Sequence, residues 1–303
     1  MFQTFAYSLP LKNPLLLAGN ITLRKRRGIL LHNPEMNGWG EAAPLPGFSP
    51  ESYEELASAV KLRRWDDLSL PSLQFAIDSA NQPFAFRPGA VSVNALWFPG
   101  REPVNDVVAR ISGWEKPVVK LKADSSLQLQ VLRDLIRARP DVQLRIDGNR
   151  QLSLEQTLQL YTALPGEQIE YFEEPLRDYA EYASLWEREN IPIALDEALL
   201  TPEGKELSEK EFVRAYVLKP TLLGGTHEQN FWISRAKRNG ANVIWSSCFE
   251  SGVGLWHLVN KARGFGAAGL DTGDIFSTQP VDPFPSSIHG RIHIESTKLK
   301  VFV

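Results

Sequence analysis

Five charged residues, each closing a short apolar run, stand at near-equal intervals along the middle of the chain. They are Lys122, Asp147, Glu173, Asp196 and Lys219, separated by 25, 26, 23 and 23 residues. The runs read Val-Val-Lys-Leu-Lys122, Leu-Arg-Ile-Asp147, Tyr-Phe-Glu173, Ile-Ala-Leu-Asp196 and Tyr-Val-Leu-Lys219. An interval of about 25 residues accommodates one strand, one helix and two loops, the repeating unit of a βα barrel. Groups at the C-terminal ends of successive parallel strands converge on one face of such a barrel. The spacing therefore gathers three carboxylates around one point, with an amine on either side. One acid at a strand end is ordinarily a loop cap or half of an ion pair, whereas three in phase point to a metal-assisted acid–base site.

Strands are expected at 91–96, 118–122, 143–148, 170–174, 192–196, 215–219, 242–247 and 267–271. Eight strands in about 180 residues are compact beside the ~250 of a typical barrel, so some helices must be short or missing. Helical runs are expected at 125–138, where Leu127, Val131, Leu132 and Leu135 share a face, and at 153–163; 97–117 and 220–241 are the least regular stretches. The first ninety residues do not follow this beat. Strands are expected at 2–8 and 20–32, with a turn at Asn33–Gly38. Trp39–Gly47 is rich in Gly and Pro and reads as an exposed functional loop. A helix follows with Ser49 as N-cap, Pro50 next and Glu51, Glu54 and Glu55 in its early turns, and a second covers roughly 71–81. The expected fold class is α/β: a modified TIM (β/α) barrel over 91–274, with an N-terminal α+β capping domain over 1–90 to which residues 275–303 return.

Composition excludes several function classes. The 303 residues are 43% hydrophobic and 23% charged, ordinary for a globular protein, and a net charge of −3 gives no reason to expect nucleic acid as a partner. A single cysteine, Cys248, excludes an internal disulfide and suits a reducing compartment. Met-Phe-Gln-Thr-Phe-Ala-Tyr does not read as a signal peptide, and no apolar run approaches the ~20 residues that span a bilayer. A cytoplasmic protein acting on a small molecule, without membrane attachment, is expected. The oligomeric state stays open, and a monomer is compatible with these features.

Mg²⁺ prefers oxygen ligands in octahedral geometry and keeps positions for water or substrate, a need that three strand-end carboxylates meet. Glu173 is followed by Glu174 and Asp196 by Glu197, so the ligand within each pair stays open; strand alternation lets only one of each face the barrel axis. Lys120 and Lys122, two apart, point the same way, and their repulsion is expected to lower at least one amine's pKa towards that of a workable base. After strand seven, Ser246-Ser-Cys-Phe-Glu-Ser251 and Gly252-Val-Gly254 offer hydroxyls and backbone amides to an anionic substrate group. Gly264-Phe-Gly-Ala-Ala-Gly269 spells a dinucleotide fingerprint, yet it follows a helix-like run and leads into a strand, the reverse of the required order. His289 and His293 have helical metal spacing in a pattern that reads as strand, and Arg24-Lys-Arg-Arg27 reads as a solvated strand edge. Asn20-Ile-Thr22 is a glycosylation sequon in letters only.

Taken together, Val-Lys120-Leu-Lys122, Arg145-Ile-Asp147-Gly-Asn149-Arg150, Phe-Glu173-Glu174-Pro175, Ala-Leu-Asp196-Glu197-Ala and Leu-Lys219-Pro-Thr resemble the enolase superfamily, and within it the muconate-lactonising group. Pro71–Ala80, Val93-Asn94-Ala95 and Ser246–Leu255 extend the likeness over roughly 36–275. The resemblance implies that Asp147, Glu173 and Asp196 ligate Mg²⁺, with Mn²⁺ as a substitute. It implies that Lys122 removes a proton α to a carboxylate to give an enediolate, and that Lys219 faces it across the substrate. Candidate substrate contacts are Lys120, Arg145 and Asn149, then Ser246, Ser247 and Ser251 after strand seven, and Gly47 and Phe48 in an N-terminal loop that would close as a lid. Among the group's reactions, loss of a β-hydroxyl to give an aromatic carboxylate in menaquinone or phylloquinone biosynthesis matches best. Racemisation of N-acylamino acids, dipeptide epimerisation and cycloisomerisation use the same machinery. Epimerases typically carry Asp-x-Asp after strand eight, whereas Asp271-Thr-Gly-Asp274 has its second acid one position late. A non-catalytic binding barrel would have no use for all five charged groups. Gly148 stands where related dehydrating enzymes often have Ala.

Overall fold

The computed structural model describes residues 1–17, 21–123, 127, 129–295 and 299–302. A long antiparallel hairpin opens the chain: β1 (Gln3–Leu16) pairs with β2 (Thr22–Asn33), and β2 with β3 (Gly38–Ala42). β1 continues well past the expected 2–8, through Pro10 and Pro14. It is an edge strand, which tolerates missing amides, and its register shifts between Pro10 and Leu15. Asn20, first residue of the sequon, lies outside the described residues. The Gly-Trp-Gly segment is not the exposed loop its composition suggests. It is β3, and the backbone from Gly40 to Leu45 is buried. A Cβ on Gly40 would collide with the Ala76 carbonyl, so glycine is what lets this strand lie directly on a helix.

α1 (Tyr53–Lys61) starts three residues later than expected. Its N-cap is Ser52, in a capping box in which Glu55 Oε2 accepts the Ser52 amide at 2.7 Å. Ser49 is engaged elsewhere, its hydroxyl accepting the Leu45 amide at 2.8 Å. Glu51 is buried and accepts the Ser72 amide at 2.9 Å, at the start of α2 (Pro71–Ala80). Ile29, Leu31, Leu56, Leu73 and Ala76 fill the layer between the sheet and these two helices.

The expected strand 91–96 divides into β4 (Gly89–Ser92) and β5 (Ala95–Trp97). The chain then alternates through α3 (Val104–Ile111), β6 (Val118–Lys122), α4 (Leu129–Ala138), β7 (Gln143–Asp147), α5 (Leu154–Thr162), β8 (Ile169–Glu173), α6 (Tyr182–Glu189) and β9 (Ile193–Leu195). It continues through α7 (Pro202–Leu207), β10 (Val213–Leu218), α8 (Pro220–Leu223), α9 (Thr226–Asn239), β11 (Asn242–Trp245) and α10 (Gly252–Lys261). Strands β5 to β11 form one 7-stranded parallel sheet in chain order. The expected eighth strand, 267–271, is reduced to two parallel bridges, Val93 to Ala268 and Ser246 to Gly269. Backbone bonds from Asn94 to Ala268 (2.9 Å) and from Gly269 to Trp245 (2.8 Å) join the first staves to the last. The expected start of α4 at 125–126 lies outside the described residues.

The stretch 220–241, irregular in sequence, carries the 14-residue α9. Two of the residues it buries, Gln229 and Arg235, are polar, so the apolar period is masked. α10 begins at Gly252 with Ser251 as its cap, so Gly252-Val-Gly254 forms a helical first turn rather than a loop. Gly264 follows that helix, as its rejection as a nucleotide motif requires. The chain ends in β12 (Val281–Asp282), β13 (Ser287–Ile288), β14 (Arg291–Ile294) and β15 (Lys300–Val301). β12 pairs with β15, while β14 pairs with β13 and β4; Leu11 on β1 bridges to Phe276. His289 and Gly290, both at positive φ, make the β13–β14 turn, so His289 and His293 do not share a helix. Among the described residues no helix is long and apolar enough to cross a membrane.

Alternation sorts each barrel strand into two faces. Val119, Leu121, Leu144, Ile146, Phe172, Leu195 and Leu218 belong to the large core shared with the helices. Tyr171, Ala194, Ala215, Val217 and Ile244 form a separate cluster. Glu173, Asp196 and Lys219 each stand two residues past a member of that second set, and Lys122 and Asp147 align with Glu173 across the sheet, as Lys120 does with Tyr171 through Arg145.

Candidate active site

Register puts the charged groups at one level. Lys122 pairs with Asp147 across β6 and β7, Asp147 with Glu173 across β7 and β8, and Glu173 with Ala194, two residues before Asp196. All three acids are buried. Lys120 Nζ lies 2.6 and 2.7 Å from the two Glu173 oxygens and 2.9 Å from Asp147 Oδ2. Lys122 Nζ lies 2.6 Å from Asp147 Oδ2 and 2.9 Å from Asn149 Oδ1, and Lys219 donates to Asp196 Oδ2. Of the three lysines Lys122 has the most exposed side chain, 35% against 13% for Lys120 and 15% for Lys219, so it faces the mouth most openly.

The ambiguous acid pairs separate by parity. Glu173 enters the amine cluster, while Glu174, at φ 40°, turns away and accepts the Asp196 and Ala198 amides at 2.9 Å each. Glu174 thus fixes the backbone that carries Asp196, and burial with the nearby Glu197 charge pushes its pKa up to about 8. Gly148 is explained by the same crowding: a Cβ there would stand 2.7 Å from Pro175 Cα.

The electrostatics differ from the sequence expectation in one respect. A lysine pair was expected to depress an amine's pKa. Burial does act that way on Lys120, but Asp147 and Glu173 outweigh it and hold Lys120 above the ordinary lysine range. Lys219 is raised too, Asp196 and Glu197 overcoming burial. The two acids that share Lys120 are pushed apart. Burial opposes the charge of both; Lys120 and Lys122 nevertheless hold Asp147 below the usual carboxylate range, whereas burial and the Asp147 charge carry Glu173 up to about 7. Asp196 is raised by burial and by Glu197.

The spacing argument placed the three carboxylates around one point. Among the described residues no three His, Cys, Asp or Glu side chains stand grouped to hold an ion as they sit. Each acid instead turns to an amine, because unneutralised buried carboxylates repel and an ammonium is the nearest counter-charge. The donor set still fits a hard divalent cation: Asp147, Glu173 and Asp196 supply only oxygen, and the Lys120 ammonium already bridges Asp147 and Glu173 as a cation would.

Two expected substrate contacts are committed elsewhere. Arg145 is 1% exposed and lies two residues below Asp147 on β7; its guanidinium bonds Glu170 (2.7 and 3.1 Å), Asn94 (3.2 Å) and Ala267 O (2.7 Å). Four of its five N–H donors are thus spent on the protein's own groups. Ser251 donates its amide to Glu41 Oε1 at 2.8 Å and its hydroxyl to Glu41 Oε2, which also accepts the Gly254 amide at 2.8 Å. The end of the loop expected to receive a substrate anion is instead the N-terminus of α10, and it holds an internal carboxylate. Ser246 and Ser247 remain at the end of β11, the second bonded to Thr272 Oγ1 at 2.7 Å. Phe48 packs against the apolar cluster that contains Leu45, Leu222 and Cys248, the cluster Phe249 also borders; Gly47 beside it is exposed at φ 80°.

Sequence reasoning missed Glu41 and Arg26. Arg26, expected on a solvated edge, is 1% exposed and bonds the carbonyls of Pro44 (2.6 Å), Ala43, Phe249 (3.1 Å) and Cys248 (3.3 Å). Four basic letters in a row concealed the one that faces inward. For Glu41 a signal existed: an acid flanked by Gly40 and Ala42 inside an otherwise apolar segment has few surface roles.

Residues 107–273 match the family described as Enolase C-terminal domain-like, and residues 1–83 match the MenC N-terminal domain. The o-succinylbenzoate synthase of Klebsiella pneumoniae is 30% identical over 97% of this chain and 97% of its own length. The fold is similar to that of the Mg-complexed o-succinylbenzoate synthase of Thermosynechococcus elongatus, with TM-score 0.72, 22% identity and coverage of 92% and 95% of the two chains. It is also similar to the L-Ala-D/L-Glu epimerase of Bacillus subtilis, with TM-score 0.76, 16% identity and coverage of 100% and 97%.

Proposed function

The chain belongs to the enolase superfamily, and from that premise we propose that it is an o-succinylbenzoate synthase, which dehydrates 2-succinyl-6-hydroxy-2,4-cyclohexadiene-1-carboxylate to 2-succinylbenzoate in menaquinone or phylloquinone biosynthesis. The observation that carries the reading is the end-to-end likeness to proteins of that name, spanning both the N-terminal unit and the barrel. Residues 1–90 with 275–303 are taken as the capping unit and 91–274 as the barrel. The single buried cysteine suits a reducing cytoplasm.

Asp147, Glu173 and Asp196 would hold Mg²⁺, or Mn²⁺ in its place, which when bound neutralises charge developing on the substrate's ring carboxylate. Lys122, the most open of the three amines, takes the proton α to that carboxylate in its neutral form. The β-hydroxyl then leaves with this proton as water, and the ring becomes aromatic. Lys219 stays charged on the opposite side and stabilises the electron-rich ring as the C–H bond breaks. Asn149 holds the Lys122 amine at 2.9 Å, which directs its lone pair once it is neutral. Ser246 and Ser247 are the remaining candidates for the succinyl carboxylate.

Dipeptide epimerisation is the second reading, favoured by the epimerase fold likeness. Against it, Asp271 Oδ1 accepts the Ser287 hydroxyl at 2.6 Å, so the acid after the last stave is already engaged. Turnover of the cyclohexadiene carboxylate with and without Mg²⁺, beside epimerisation of L-Ala-L-Glu and racemisation of N-acylamino acids, decides. Synthase kcat/KM is expected to exceed epimerase and racemase kcat/KM by orders of magnitude; an equal or larger epimerase or racemase value overturns the assignment.

A further inference from the structure

Glu250 is fully buried, lies outside the amine cluster, and joins two barrel loops. Its Oε1 accepts the hydroxyl of Thr221, also fully buried, at 2.5 Å, and its Oε2 accepts the Cys248 amide at 2.7 Å. Thr221 sits in the four-residue α8, whose N-cap is Lys219. The Lys219 carbonyl accepts the Leu222 and Leu223 amides at 2.9 and 3.0 Å, so the place of α8 sets the direction in which the Lys219 side chain leaves the backbone. Its tip is held at the other end by Asp196. Arg26 bonds the carbonyls of Cys248 and Phe249, the two residues before Glu250, and its charge acts favourably on the Glu250 carboxylate. A carboxylate is a costly way to fill a core, because apolar residues of similar volume stabilise a fold as well or better. What a carboxylate adds is two acceptors at fixed separation, here spent on two different loops.

We propose that Glu250 is a positioning residue for Lys219, acting through the Thr221 hydroxyl. This rests on the reading of Lys219 as a catalytic group. Glu250 fixes α8 relative to the β11 loop, and so aims the Lys219 ammonium across the mouth towards Lys122.

Thr221→Val removes the hydroxyl at nearly constant volume, Thr221→Ser keeps it, and Glu250→Gln leaves one acceptor of two. With Mg²⁺ and the cyclohexadiene carboxylate, Thr221→Val is expected to lower kcat about tenfold or more with KM within about twofold, Thr221→Ser to stay near wild type, and Glu250→Gln to fall between. In the second readout, NMR of the full-length protein carrying 13Cε-labelled lysine, the Lys219 signal (assigned by its loss in Lys219→Arg) should move in Thr221→Val and stay in Thr221→Ser, with the Lys122 signal unchanged in both. A folded Thr221→Val protein with unchanged kcat and an unmoved Lys219 signal overturns the proposal. Should Thr221→Val not fold, Glu250→Gln decides on the same two readouts. A wild-type protein inactive on this substrate sinks the synthase reading, and the NMR comparison still decides the positioning role.

Discussion

Glu41 and Ser251 are 210 positions apart in the chain and joined at the core: Glu41 Oε1 accepts the Ser251 amide at 2.8 Å, while Oε2 accepts the Ser251 hydroxyl and the Gly254 amide. Tyr7 donates its phenol to the same carboxylate at 2.5 Å. One side chain from β3 thus terminates α10 of the barrel and anchors β1. Glu41→Ala would leave these donors without their partner, a change expected to cost about 1–3 kcal/mol for each donor left unsatisfied. Glu41→Gln, which turns an amide group towards two of the four donors and keeps an acceptor for the other two, should cost less than Glu41→Ala, about 1–3 kcal/mol. Denaturant unfolding of both variants checks the order, and a wild-type midpoint for Glu41→Ala would refute the anchoring role.

Activity should require a divalent cation. The three strand-end acids are neutralised pairwise by amines, and one substrate carboxylate more cannot enter that cluster without a further positive charge. Asp147→Asn, Glu173→Gln and Asp196→Asn are each expected to lower kcat by about 10² or more in a folded protein. Full turnover in excess EDTA would remove the metal from the reaction.

Lys122 and Lys219 should differ from Lys120 in kind. Lys122→Ala and Lys219→Ala are expected to abolish dehydration, lowering kcat and kcat/KM together, whereas Lys120→Ala, which loses a bridge between Glu173 and Asp147, should lose less. Exchange of the substrate's α-proton with solvent separates the first two: Lys219→Arg should retain more exchange than Lys122→Arg. Wild-type kcat in Lys122→Ala would exclude it as the base.

His257 gives the fold an acid limit. Its Nε2 lies 2.7 Å from the Trp39 carbonyl between α10 and β3, and burial lowers its pKa from 6.5 to about 4. Between those values the unfolded chain binds a proton on this residue that the native state does not. The His257 contribution to stability is therefore full above pH 6.5 and declines as pH falls, opposite in sign to the contributions of the raised Glu173 and Glu174 carboxyls. The decline is about 1.4 kcal/mol per pH unit and about 3 kcal/mol by pH 4. His257→Gln, a neutral donor to the same carbonyl, should flatten the dependence in this window. Equal slopes for the two proteins in pH-dependent denaturant melts would exclude His257 as its source.

The parallel core was legible because its signal is local and repeated. Lys122, Asp147, Glu173, Asp196 and Lys219 each end an apolar run, and the helices between them at α4 and α5 carry intact amphipathic periods. α9 was not legible, since Gln229 and Arg235 occupy buried positions where an apolar residue would reveal the helix. The last stave was overestimated: Ala267 to Leu270 carry no charge and read as strand, yet only Ala268 and Gly269 pair.

What the sequence determined by itself is the βα beat, the side of each strand that bears charge, and the set of acids and amines that meets at the barrel mouth, because strand period and repeat length follow from backbone geometry alone. Only the tertiary structure decided which partner each charged group takes. Arg26 and Arg145 become interior cross-links, Glu174 a backbone clamp and Ser251 the partner of Glu41, because a buried charge is tolerated only beside groups that satisfy it. Those groups come from segments tens to hundreds of residues away, and no local pattern records which of them folding brings together.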